Sequence, residues 1–246
     1  RFYLHHKRAM RFLLLILISP AIVWLLSPAA AQLTSGISAP EIREGAHSIG
    51  YRAAYDPDRS GLAQRIHAER ALTGSVAVRG VIRARKTEAR AVDLDYVQGE
   101  LRWQITPDGA RWASGLRLDA RFRDGGRPGQ VALHWLNQAQ LTDTVRSRFS
   151  IIASIQTGSG RESGTFLQTR GELSQRLEDG VDIGAEVYNT YGPANDLLPV
   201  SQQGHLAGPF VSLPLNESLT LRTSALVGLT AGSTDATFRV FLTQRF

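Results

Sequence analysis

The sequence predicts an all-β protein, a transmembrane antiparallel up-and-down β-barrel of about twelve strands that follows an N-terminal signal peptide. Three observations carry this prediction. The first thirty-one residues have the layout of an export signal. Beyond them, apolar and polar residues alternate with period two, and no second apolar run approaches the length of a spanning helix. The connections between the alternating runs are by turns short and long, as at the two rims of an outer-membrane barrel.

Arg1, Lys7, Arg8 and Arg11 are the basic residues of the N-terminal stretch, and no acid occurs before Glu41. An apolar stretch runs from Phe12 to Leu26, and Ala29 and Ala31 then stand three and one residues before Gln32. A basic region, an apolar region and a small-residue site together define a secretory signal peptide. The sole methionine, Met10, is read as its start, with cleavage after Ala31. An uncleaved anchor is the alternative for such a stretch, but Pro20 interrupts it. Without cysteine the chain has no disulfide, thiolate metal site, Cys nucleophile or lipid-anchoring cysteine.

Removal of those four basic residues changes the charge argument. The chain carries 28 Lys and Arg against 22 acids, a net +6; after residue 31 the count is 24 against 22, a net +2. The basicity that suggests a nucleic-acid partner belongs largely to the signal, so no nucleic-acid partner is expected. Residues 32–40 read as a short N-terminal linker, and residues 41–246 as the barrel.

Strands are predicted near 42–55, 62–72, 74–86, 91–106, 110–123, 129–139, 143–156, 163–176, 179–191, 203–213, 217–230 and 235–246. Most reach the roughly 9–11 residues needed to cross a bilayer at a tilt. The alternation is clearest where Leu219, Leu221, Thr223, Ala225, Val227 and Leu229 share a face, and where Leu116, Leu118, Ala120 and Phe122 oppose Arg117, Asp119 and Arg121. Residues 62–72 are rich in helix formers, so a short amphipathic helix competes with a strand there. The register of 163–176 is open, because Phe166 falls on one face and Leu167 and Leu173 on the other.

A soluble periplasmic sandwich also alternates. Here the face opposite the apolar one carries Arg, Asp, Glu and Gln, which a dry core does not accept unpaired. A barrel in lipid reverses the distribution and pairs every backbone group between strands. Trp103 and Trp112 flank one short turn, while Tyr51, Tyr55, Phe122 and Tyr191 lie toward the other rim, the placement of interfacial aromatic girdles.

The chain ends on Phe246, with Leu242, Val240 and Phe238 on the same face and Gln244 where an apolar residue is more usual. This resembles the terminal strand of Gram-negative outer-membrane barrels. The segments GELRWQIT (99–106) and GPFVSLPLN (208–216) are similar to those of small proteobacterial outer-membrane barrel proteins. The resemblance implies location in the outer membrane by Sec-type export. It also implies Phe238, Val240, Leu242 and Phe246 as an assembly signal, and outer-membrane lipid and the barrel-assembly machinery as partners.

The polar faces assign Arg52, Arg79, Arg83, Arg102, Arg117, Arg121, Arg146, Arg148, Arg222 and Arg239 to the lumen, with Glu100, Asp119, Asp182 and Glu186 among them. An excess of fixed guanidinium groups favours anions. The expected function is therefore non-enzymatic: a narrow channel for small acidic solutes, or a structural barrel filled by an Arg–carboxylate network. The enzymatic alternative is a barrel hydrolase of the lipase or deacylase type, which needs a nucleophile, a His base and an orienting group. His67 and His134 fall on inward faces and His47 and His205 on outward faces, none in such a relation. No metal site or cofactor is expected, and Gly158-Ser159-Gly160 reads as a loop tip. The longest loop, 191–204, carries an apolar Leu197-Leu198-Pro199-Val200 suited to lidding the barrel or meeting a partner.

Overall fold

A strand that alternates side chains can expose one face to lipid and the other to a lumen, provided its edges find partners all the way round. This chain does so in the computed structural model, which describes residues 34–87 and 90–246. The export signal and its cleavage site lie outside the described residues. The strands are β1 (His47–Asp56), β2 (Gly61–Ala71), β3 (Val76–Thr87), β4 (Arg90–Gln104), β5 (Trp112–Phe122) and β6 (Gly129–Gln140). The second half comprises β7 (Val145–Thr157), β8 (Phe166–Arg176), β9 (Asp182–Pro193), β10 (Gly204–Pro214), β11 (Leu219–Gly228) and β12 (Ala236–Arg245). Each pairs antiparallel with its sequence neighbours, and β1 closes on β12 with Tyr51 opposite Leu242 and Ala53 opposite Val240.

The stretch of helix formers is strand β2. It pairs with β1 from His47–Arg70 to Asp56–Gly61 and with β3 from Leu62–Lys86 to Ala71–Ala77, so backbone pairing on both sides overrides propensity. Residues 86–91, expected as a loop, largely extend β3 and β4 instead, with register shifts after Arg83 and Arg85. The pairing of β8 with β7 runs without a shift, so Phe166 shares the face of Arg170 and Glu172 while Leu167 and Leu173 share the other. Leu167 pairs with Gly192 and Gln168 with Thr190, which leaves Tyr191 as the extra residue of a bulge. Gly192, at φ +90°, takes the turn.

The outward face is apolar along whole strands. Ile66, Ile82 and Val97 form one row across β2–β4, about half exposed, and Trp103, Trp112 and Phe122 stand at the strand ends. The turn Asp179-Gly180, with φ of 59° and 75°, has the left-handed pair that suits a tight hairpin. The outward polar Gln64 is satisfied by the Tyr51 hydroxyl at 2.9 Å.

Candidate functional site

The inward positions bring charged residues together from across the barrel. Glu100 on β4 is a hub: it accepts from Arg65 at 2.9 Å, Arg79 at 3.1 Å and Gln98 at 2.7 Å, with Arg117 at 3.7 Å. Arg79 also pairs with Glu69, which takes Arg102 at 2.8 Å. Asp119 receives Arg117 at 3.1 Å and His134 at 2.9 Å. A second network spans the other half of the wall. Glu172 accepts from Arg222 at 2.8 Å and Arg148 at 3.4 Å; Glu186 accepts from Arg222 at 2.6 Å, from the Tyr188 hydroxyl at 3.1 Å and from Arg239. Near the long-loop rim Asp95 gathers Arg83, Arg85 and Arg127, and near the short-turn rim Asp182 gathers Arg146 and Arg176.

Arg83, Arg117, Arg239, Glu100, Asp119 and Glu186 are buried; Arg52, Arg79, Arg102, Arg121, Arg146, Arg148, Arg222 and Asp182 are half-buried. Sequence reasoning omitted Arg65, Glu69, Asp95, Arg170 and Glu172 from this interior. Arg170 and Glu172 sit in the strand of uncertain register, whereas Arg65 and Glu69 share the inward face already given to His67 and were passed over in the helix-like stretch. A strict alternation drawn through β2 from Ile66 would have found Arg65 and Glu69.

The main obstruction in the lumen is the chain's own N-terminal segment. Residues 34–42 precede β1 and run inside the barrel. Arg52 donates to Thr34 O at 3.4 Å, Arg239 to Ser35 O at 2.9 Å, Arg170 to Gly36 O at 3.2 Å and Arg102 to Ala39 O at 3.1 Å. Arg117 donates to the Ser38 hydroxyl at 2.9 Å, and Ile42 N to Gln104 Oε1 at 2.6 Å. Ile37 packs on the buried cluster Tyr188, Leu206 and Leu226, and Ile42 on Ala71 and Ala77 at the short-turn rim. Strapped in this way, the lumen retains a cavity of about 30 Å³ against the strap. That is room for two or three waters.

The histidines lie apart from any nucleophile–base arrangement among the described residues. His67 stacks its ring over the bare Cα of Gly50, and His134 is held between Asp119 and Arg117. His47 stacks on the C-terminal Phe246 ring, centroids 5.4 Å apart. His205 Nδ1 meets Asn189 Oδ1 at 2.8 Å, an orienting contact, yet its Nε2 faces Gln203 Oε1 at 3.0 Å where a hydrolase needs a hydroxyl. The apolar loop segment turns back onto β9 with Leu198 over Gly192, while Leu197 and Val200 stay exposed.

No protein-family model and no curated sequence matches the chain. Solved structures do. An outer membrane channel from Pseudomonas putida F1 matches with a TM-score of 0.67 and 9% identity, over 86% of this chain and 100% of that one. The KdgM porin in complex with disordered oligogalacturonate matches at 0.63 and 10%, over 81% and 99%. The fold is that of the bacterial outer-membrane porins. The NanC porin matches likewise, at 0.61 and 10% over 80% of this chain and 98% of that one. These porin-type barrels share the architecture with this chain at about one residue in ten, so they establish its fold and leave its solute to its own residues.

Proposed function

We propose that the protein is an exported outer-membrane barrel that acts as a narrow, anion-preferring channel, non-enzymatic, and closed in the described state by residues 34–42. The observation that carries this reading is the strap itself. It is held by guanidinium groups of the wall that donate to neutral carbonyl oxygens, the weaker class of acceptor. The same groups would receive a carboxylate or phosphate more strongly, so a small acidic solute competes for the strap's own donors. That the KdgM porin holds an oligogalacturonate, itself a polyanion, supports an acidic solute class for a barrel of this architecture. Residues 1–31 serve as its Sec-type signal, and Phe238, Val240, Leu242 and Phe246 serve as the recognition strand for the assembly machinery.

A structural role without conduction is the competing reading, favoured by the density of ion pairs. Planar-bilayer recording separates the two. The chain from residue 32 should conduct weakly or not at all, and a variant lacking 32–42 should show larger steps with chloride preferred over potassium. A strapless barrel that carries no current, or carries it without ion preference, overturns the channel.

A further inference from the structure

The luminal cavity is bounded on one side by Ser35, Gly36 and Ser38 of the strap and on the other by a wall that includes Arg52, Arg121 and Arg170. These three arginines differ from the others that line it. Arg65, Arg79 and Arg117 each reach a carboxylate. Arg52, Arg121 and Arg170 bond only neutral acceptors among the described residues: Thr34 O; Gln98 Oε1 and Gln130 Oε1 at 3.0 and 2.8 Å; Gly36 O and Gln168 Oε1.

Each of the three also lies over an aromatic ring, Arg52 over Phe241 at 4.7 Å, Arg121 over Tyr96 at 4.2 Å and Arg170 over Tyr188 at 5.9 Å. The ring orients the guanidinium without cancelling its charge. The Nε groups of Arg52 and Arg170, like those of Arg65, Arg79 and Arg117, are buried with no acceptor, so the wall around the cavity holds several unused donors. A buried donor without an acceptor, on a charge without a carboxylate partner, carries a cost that a counter-ion joining it relieves.

We propose that this cavity is an anion site, binding one small inorganic oxyanion of the phosphate class between strap and wall. Forked guanidinium donors converging from different strands suit such an ion. The space of two or three waters takes one and excludes a sugar acid. Because Arg52 and Arg170 hold strap carbonyls with their other nitrogens, occupation of the site also fixes the strap. The site does not rest on the barrel conducting; it is read by melting and stands for a closed barrel as for an open one.

The test uses the barrel refolded in zwitterionic detergent, melted in sodium phosphate, sodium chloride or sodium gluconate at equal ionic strength and pH. Phosphate should raise the midpoint by several degrees, saturating with concentration as a bound ligand does. Arg121→Gln and Arg170→Gln should each abolish that dependence, whereas Arg176→Gln, at the exposed rim, keeps it. Two variants guard against one failing to fold. Equal midpoints in the three salts, or a phosphate effect that survives both substitutions, would overturn the site.

Discussion

Glu186 offers the sharpest test of how the barrel interior holds together. It is 1% exposed and lies between two guanidinium groups. In Glu186→Gln the side chain keeps its shape and loses its charge. Arg222 retains Glu172 at 2.8 Å. Arg239, itself 2% exposed, is left with Ser35 O and the Ser224 hydroxyl, both at 2.9 Å and both neutral. Stranding one member of a buried pair costs about 3–5 kcal/mol. For a chain of this size each kcal/mol moves the midpoint by about 2–4 °C, so a fall of roughly 10 °C is expected. The assay is a temperature series of unboiled samples on a gel, reading loss of the fast-migrating folded barrel. Adding Arg239→Gln removes the stranded charge and should return about half of the loss. A fall below about 2 °C for the single variant, or a double variant as poor as the sum of the two singles, refutes the charge argument.

Three further outcomes follow from packing and the outer surface. A Cβ on Gly50 would sit 2.2 Å from the His67 ring, whereas one on Gly80 meets nothing within 4 Å on the lipid face. Gly50→Val should therefore cost about 1–3 kcal/mol in urea melts, with Gly80→Val near neutral. Trp103 and Trp112 stand at one rim, so with Trp135 in mid-strand replaced by Phe, tryptophan fluorescence should be quenched more by lipids brominated near the headgroup than near the chain ends. Phe246 touches His47 from an exposed position; deleting it should leave the melting of the finished barrel within about 1 kcal/mol while lowering folding yield with the assembly machinery present.

Strand number and closure were legible because lipid and lumen impose opposite polarities on successive residues. The alternation of Leu118 with Asp119 or of Val240 with Arg239 is therefore direct evidence of facing. Two features were not legible. One extra residue at Tyr191 shifts the partners of β8 with no mark in β8 itself. The strap is the larger of the two: Thr34 to Pro40 has no alternation and no charge, and reads as linker. Its place depends on arginines up to 204 positions away in the chain, such as Arg239 with Ser35.

From Thr34 to Pro40 the strap carries no charge, its one acid being Glu41, and that neutrality has a physical consequence. An acidic segment would pair with the guanidinium groups, cancel the field of the lumen and stay in place. A segment of Thr, Ser, Gly, Ile, Ala and Pro fills the same space with carbonyl acceptors and leaves the positive charge standing. The closure is then weaker than the wall could support, and the site for an anion survives beside it. Ser38→Glu tests this directly, because the Ser38 hydroxyl already accepts from Arg117 at 2.9 Å and borders the cavity. A tethered carboxylate there should raise the melting midpoint in gluconate, shrink the added effect of phosphate and suppress any residual current. If the variant instead melts lower and keeps the full phosphate effect, the strap is held by packing of Ile37 and Ile42, and the guanidinium groups are not what seats it.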